Sequence, residues 1–345
     1  MNRTNLYDRL QKYNSKFVDF NGWEMAISYD GTLKEHSYVR NNAGFFDVSH
    51  MGRLYIDNNN IDLLNTLICG NILKKESNSA LYTMILNEKG GVIDDVIIWK
   101  FNSYSILICN ASNTEKVLDW FAKHGLENDY MNESTSLVAI QGPNVINKLS
   151  NQFDIPEKFE CLFTGNPLFK NEITIARTGY TGEDGVEIMI NHNDDEKLID
   201  LLDELNIPPC GLGSRDTLRL EASLPLYGQE LNENISPVEI GFKWVVDTDH
   251  EFYGKDVLLQ QMSDGKHKYL KRFVIEERIV GRHGDKVFSG SVNGVVTSGN
   301  YSPKLEKSIG FVLFESKPET DSIKLSIRDR LVDGKVIQGR FIGKL

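Results

Sequence analysis

The run GGVIDDVIIWKF, residues 90–101, constrains the fold more than any other stretch of the chain. Its β-branched and aromatic residues predict a strand over residues 92–101, and side chains along a strand alternate between two faces. One face carries Ile93, Asp95, Ile97, Trp99 and Phe101; the other carries Val92, Asp94, Val96, Ile98 and Lys100. Asp95 therefore stands on a face that is otherwise wholly apolar, where an ionised carboxylate without a partner is costly. Two readings follow. The acidic pair, so soon after Gly90-Gly91, can cap a hairpin turn. Alternatively Asp95 is desolvated and suited to accept or share a proton. The apolar neighbours favour the second.

The strand belongs to an expected hairpin over residues 81–101 that turns at Asn87-Glu88-Lys89-Gly90-Gly91. A further strand over 104–110 precedes a helix that ends at Gly125, with Ser112 and Glu115 at capping-box spacing. Strands with such a crossover helix suggest an α+β unit of the split βαβ type. Helices are expected near 31–41, 61–67 and 194–205, and from Arg215 to about Leu224 with Ser214 as N-cap and Pro225 as stop. Strands are expected at 136–140, 173–178 and 186–190. From about Lys271 short strands alternate with Gly and Ser turns, which predicts a small β-barrel or sandwich.

A chain of 345 residues is too long for one small core, and two or three domains are expected. The formal net charge of −11 argues against a general nucleic-acid binder. It also means that an anionic ligand needs local Arg or Lys to hold it. Cys69, Cys109, Cys161 and Cys210 are scattered without a CxxC pair, as expected for reduced thiols, and no metal site is expected. The N-terminus lacks an apolar signal segment and no apolar run reaches the roughly 18 residues of a membrane span. The expectation is a soluble, cytoplasmic protein.

Three further motifs carry polar residues in suggestive places. In RTGYTGEDGVE, residues 177–187, the glycines Gly179, Gly182 and Gly185 permit a tight turn close to a ligand. A strand follows rather than a helix, so a dinucleotide fingerprint fits poorly. Glu187 lies opposite Val186, Ile188 and Ile190 and on pattern alone reads as solvent-facing. In GLGSRDTLRLEASLPLYGQE, residues 211–230, Arg215 sits in the first helical turn, where the helix dipole disfavours a cation. A carboxylate partner, from the protein or from a ligand, explains it better. FDVSHMG, residues 46–52, contains His50, which as a lone histidine reads as structural. Met51 and Trp244 read as core residues.

Together these strings resemble the aminomethyltransferase, or T-protein, family of the glycine cleavage system. The matching segments LYDRL, VDFNGWEM, FFDVSHMG, NEKGGVIDDVII, AIQGP, RTGYTGEDGVEI, GLGSRDTLRLEASLPLYGQEL, NENISPVEIGFKWVV, FYGKDVL and TSGNYSPKLEKSIG run in the family's order over almost the whole chain. The resemblance implies an α+β fold arranged as a three-domain cloverleaf. Residues 1–269 would form a folate-binding catalytic region of two interleaved α+β domains, one containing roughly 53–135, and residues 270–345 a C-terminal β-barrel. It implies glycine catabolism and one-carbon metabolism: an aminomethyl group on the lipoyl arm of H-protein meets tetrahydrofolate as co-substrate, giving 5,10-methylenetetrahydrofolate, ammonia and dihydrolipoyl H-protein. No nucleic acid or membrane partner is implied.

Residue by residue, the resemblance places the family's key aspartate on Asp95, polarising a folate nitrogen. Met51, Tyr82, Ile97, Trp99, Asn110 and Tyr180 would line the folate pocket, Glu187 would accept from the pterin's N–H donors, Arg215 would donate to the folate and Trp244 would be another wall. The chain departs from the pattern at TNLYD, where Pro is usual in place of Asn5, and at Ala26, where Pro is again usual. Leu224 stands where some members have an aromatic residue. GRFIGKL offers only Phe341 toward the family's C-terminal folate contact. Two related readings are weighed against this one. A folate-dependent demethylase of the same fold is disfavoured because no separate flavin domain is present. A folate-binding iron–sulfur assembly factor is disfavoured because SLPLYGQE lacks the cysteine of KGCYxGQE.

Overall fold

The computed structural model describes residues 1–342. The strands are β1 (Lys16–Phe20), β2 (Trp23–Ser28), β3 (Gly44–Asp47), β4 (Gly52–Asp57), β5 (Ser79–Leu86), β6 (Val92–Lys100), β7 (Tyr104–Cys109), β8 (Asp129–Tyr130), β9 (Thr135–Gln141), β10 (Cys161–Thr164), β11 (Ile173–Ala176), β12 (Gly185–Asn191), β13 (Tyr269–Ile275), β14 (Lys286–Ser289), β15 (Val292–Ser302), β16 (Lys307–Phe314), β17 (Ser322–Ile327) and β18 (Arg330–Ile337). The helices are α1 (Tyr7–Leu10), α2 (Thr32–Asn41), α3 (Ile61–Thr66), α4 (Thr114–His124), α5 (Val145–Leu149), α6 (Asp195–Glu204), α7 (Leu212–Glu221) and α8 (Lys255–Asp264). No helix among the described residues is long and apolar enough to cross a membrane.

The chain divides into two units that are discontinuous in sequence. The first holds Met1–Leu64, Ile72–Tyr82 and Val96–Asp216; the second holds Asn65–Asn71, Thr83–Asp95 and the chain from Thr217 onward. The sheet β5-β6-β7-β4-β8 contains the hairpin strands β5 and β6, along which the chain passes from one unit to the other.

In the first unit an antiparallel sheet of order β10-β11-β12-β9-β3 buries one face in a core that includes Phe45, Val138, Ile140, Ile175, Val186, Ile188 and Ile190, covered by Leu198, Ile199, Leu201 and Leu202 of α6. The period-2 alternation of β12 and the amphipathic spacing of α6 account for this burial. Burying a side chain of this kind stabilises by about 1.5–3 kcal/mol. The second unit ends in a closed barrel of order β13-β16-β15-β14-β17-β18, filled by residues such as Phe273, Val287, Val296, Val312, Phe314, Leu325 and Val336. The mixed α+β fold with its C-terminal barrel matches the expected fold class.

Three local expectations change. Helix α4 begins at Thr114 with Asn113 as N-cap and no side-chain capping bond, so the Ser112–Glu115 capping box does not form; Ser112 lies in a 3-10 turn, Ala111–Asn113. Gly125 does close α4 in the left-handed conformation, at φ 74°. Helix α7 begins at Leu212, which puts Ser214 inside it, with its hydroxyl donating to Gly211 O at 2.8 Å. The cap comes instead from the buried Glu35, whose carboxylate accepts from the backbone N–H of Gly211 at 2.8 Å and from those of Tyr29 and Asp30 at 2.6 and 2.8 Å. A carboxylate taking backbone donors at a helix start is favoured by both hydrogen bonding and the helix dipole. Finally, the β5–β6 turn is capped by Asn87, whose side-chain oxygen accepts from the N–H groups of Lys89 at 2.9 Å and Gly91 at 3.0 Å.

Candidate functional site

The acidic pair is divided differently from the face argument. Asp94 is the fully buried member, 0% exposed, whereas Asp95 and Ile97 retain partial exposure. Asp95 is therefore not the desolvated carboxylate of the pair. Val92, Ile93 and Asp94 are all buried, so both faces of β6 are covered at its start and the period-2 contrast fails there. Asp95 closes the second unit's share of the strand; Ile97 and Trp99 fall in the first unit. Trp99 is 0% exposed, with its indole N–H buried and without a hydrogen-bond partner among the described residues. This places it within the packed interior rather than on an open wall. Trp244, in the second unit, is 64% exposed and packs on Phe242 with ring centroids 5.5 Å apart. It is not the core residue that the pattern suggested. Phe341 is buried against Phe311, with ring centroids 6.2 Å apart.

Within the first unit, the turn between β11 and β12 is braced on several sides. Arg177 forms a bidentate pair with Asp184, Nε–Oδ1 3.1 Å and Nη2–Oδ2 2.8 Å. The Gln141 side chain donates to Thr178 O at 3.1 Å and accepts from the Thr181 hydroxyl at 2.9 Å. Arg40 donates to Thr181 O at 2.7 Å and to Glu183 at 2.9 Å. Gln141 passes so close beneath the turn that a Cβ on Gly179 would lie 1.9 Å from its Oε1. That is an approach only glycine permits. The bracing accounts for the string RTGYTGEDG.

Glu187 projects from β12 and is half-buried, not the freely solvent-facing residue that the pattern suggested. In register across the sheet it is flanked by Ala176 on β11 and Ala139 on β9, with Cys161 and Phe46 beyond them. The Thr178 hydroxyl donates to Glu187 Oε2, and the other oxygen accepts no hydrogen bond from the described residues. Burial pushes the Glu187 carboxyl above its usual range, and the Thr178 bond and then the Arg215 charge pull it back. Arg215 stacks on the Tyr180 ring, its guanidinium carbon 4.6 Å from the centroid.

Met51 and Asn110 flank the Gly52–Cys109 pair at the end of the β4–β7 ladder, and Ile97 pairs with Ile108 beside it. Tyr82 is the last first-unit residue of β5 and is partly exposed. The Ser49–Met51 turn is held by Arg53, a fully buried side chain with no carboxylate at ion-pair distance among the described residues. Its guanidinium donates to Ser49 O (2.9 Å), Met51 O (2.7 Å), Asn132 O (3.3 Å), Thr135 O (3.0 Å) and the Thr135 hydroxyl (2.9 Å). Burial lowers Arg53 to about 10, still charged at neutral pH. His50, in the same turn, is buried edge-on to Phe20 and Trp23, with no hydrogen-bond partner for its Nδ1 among the described residues. Burial, then the Arg215 and Arg53 charges, push it down to about 3, so it is neutral across the physiological range.

The first unit thus brings Tyr180, Glu187 and Arg215 together, and gathers Met51, Ile97 and Asn110 at one ladder end. Residue patterns alone did not single out Thr178, Gln141 or Arg53, although all three lie inside or beside strings that carried the resemblance. Among the described residues no group of three or more His, Cys, Asp or Glu is placed to hold a metal ion.

The comparisons with known proteins agree across the chain. Residues 6–250 match the family model for the GCVT N-terminal domain and residues 268–342 that for the glycine cleavage T-protein C-terminal barrel domain. The chain is 38% identical to the aminomethyltransferase of Thermosipho melanesiensis, over 99% of this chain and 97% of that protein. It is 37% identical to that of Bacillus subtilis, over 99% of each. The crystal structure of the glycine cleavage system aminomethyltransferase T from Bartonella henselae matches with a TM-score of 0.90 at 26% identity, covering 99% of this chain and 98% of that one. With both domain models matched in order, and relatives aligned from end to end, the chain belongs to the glycine cleavage T-protein family of aminomethyltransferases.

Proposed function

We propose that this chain transfers the methylene carbon of an aminomethyl group, carried on the lipoyl arm of a partner H-protein, to tetrahydrofolate. The methylene carbon exchanges its bonds to sulfur and to the amine nitrogen for two bonds to folate nitrogens; sulfur leaves as a thiol and the amine as ammonia. The observation that carries this reading is the setting of Glu187. A half-buried carboxylate, one oxygen of which accepts no hydrogen bond from the described residues, stands between two alanines, which suits a heterocycle edge presenting N–H donors. Arg215 supplies the local cation that a chain of net charge −11 needs in order to hold an anionic ligand.

In this reading Met51, Tyr82, Ile97, Trp99, Asn110, Tyr180 and Trp244 are the folate contacts that membership of the family suggests. Asp95 orients the folate and holds a proton at a folate nitrogen. No metal takes part, and the cytoplasm is the proposed compartment.

The experiment that tests the reading is ammonia release from aminomethylated H-protein. Release is expected only when tetrahydrofolate is present; release of equal rate without it refutes the proposal. Glu187→Ala is expected to weaken tetrahydrofolate binding by about 10- to 100-fold, as loss of charge-assisted hydrogen bonds does. Unchanged affinity by calorimetry removes Glu187 from the site. Arg215→Ala is expected to raise the tetrahydrofolate KM by about tenfold, and full activity at low folate counts against its role.

A further inference from the structure

We propose that Thr178 is a positioning residue for Glu187: its hydroxyl fixes the rotation of the carboxylate so that the remaining oxygen is presented to a planar ligand. The proposal rests on the reading of Glu187 as a folate contact.

The terminal torsion of a glutamate is broad and is set by its neighbours. Here the neighbours in register are Ala139 and Ala176, which have no atom beyond Cβ with which to restrain it. The row continues to Cys161 on β10 and Phe46 on β3. None of the four carries a charge near neutral pH, since burial pushes the Cys161 thiol up to about 12. From α7 the charged group is Arg215, and the turn contributes Tyr180 and Thr178. The Thr178 hydroxyl is thus the hydrogen-bonding group that distinguishes one carboxylate oxygen from the other.

Thr178 is itself fixed. It is buried, its carbonyl accepts from Gln141, and the Arg177–Asp184 pair closes the turn around it. Its β-branched side chain has few rotamers. The turn's bracing is therefore transmitted to the carboxylate through a single hydroxyl.

The sign of the pH effect follows. Ionised Glu187 is the form that accepts from ligand N–H groups. Burial raises its pKa and the Thr178 bond lowers it. Removing the hydroxyl raises the pKa further, so folate binding must shift to higher pH.

The test uses Thr178→Val, which keeps the shape, Thr178→Ala as a second hydroxyl-free variant, Thr178→Ser as the rescue, and Glu187→Gln. Carbon-13 NMR titration of the Glu187 carboxylate is followed without ligand, and the tetrahydrofolate KM and kcat are measured from pH 5.5 to 9. The expected result is an upward-shifted titration in the Val and Ala variants. Their KM should be raised about tenfold at the acid end of this range and stay above wild type at the alkaline end, where the carboxylate is ionised but its rotation is no longer set, with kcat within about twofold and KM restored by Ser. An unshifted titration, or a wild-type KM profile in both hydroxyl-free variants while Glu187→Gln is impaired, overturns the role of Thr178 alone. Wild-type folate binding by Glu187→Gln at every pH overturns the parent reading and the proposal with it.

Discussion

Asp95→Asn is expected to lower kcat by about 10²- to 10⁴-fold while leaving tetrahydrofolate affinity within about threefold, the signature of a lost proton-accepting group rather than a lost contact. Asparagine is nearly isosteric with aspartate and Asp95 is partly exposed, so the strand tolerates the change and thermal stability should hardly move. Asp94→Asn is the informative contrast. That carboxylate is 0% exposed, and altering it disturbs the interactions of a wholly desolvated group, so its cost should appear in stability first. Wild-type kcat in Asp95→Asn sinks the catalytic assignment. Loss of turnover in Asp94→Asn with an unchanged melting temperature would transfer the role to its neighbour.

Arg53→Met should destabilise the protein by about 3 kcal/mol in chemical denaturation, within the range seen when a buried hydrogen-bonded network is broken. Methionine matches the length of the arginine stem but returns none of its five hydrogen bonds. Three of the carbonyls keep a second donor: Met51 O from Asn132 at 3.0 Å, Thr135 O from Asn5 at 3.1 Å and Asn132 O from Asn5 at 3.4 Å. Ser49 O is the carbonyl whose loss is hardest to replace. Lysine should not rescue, because a point charge cannot reach acceptors spread around a planar fork. The turn that Arg53 holds contains His50 and Met51, so folate KM should rise alongside the stability loss. A destabilisation below about 1 kcal/mol would mean that water replaces the guanidinium at the turn.

Elements defined by local pattern were legible in the sequence. The barrel strands, the β5–β6 hairpin, α2 and α6 follow from apolar spacing and turn residues within ten or so positions. Asp94 and Asp95 were not separable in this way, since alternation identifies a buried face only when the other is open, and the start of β6 is covered on both. The capping of α7 by Glu35 lies 176 positions away in sequence, beyond any local signal. The same holds for the joining of residues 65–71 and 83–95 to the chain from Thr217 in one unit. Glu187 read as solvent-facing because its own strand shows a polar residue among apolar ones. Only the register across three strands reveals alanines on both sides of it and a threonine hydroxyl on one oxygen. The family strings carried Gly179 without the reason for it; Gln141 beneath it supplies that reason.

The brace around the β11–β12 turn bears on the speed of recognition as well as its strength. Arg177, Asp184, Gln141 and Arg40 hold the turn in shape before any ligand arrives, so little ordering is left to accompany binding. If folate is bound here as proposed, association is governed by diffusional encounter, while residence time carries the differences in affinity between related ligands.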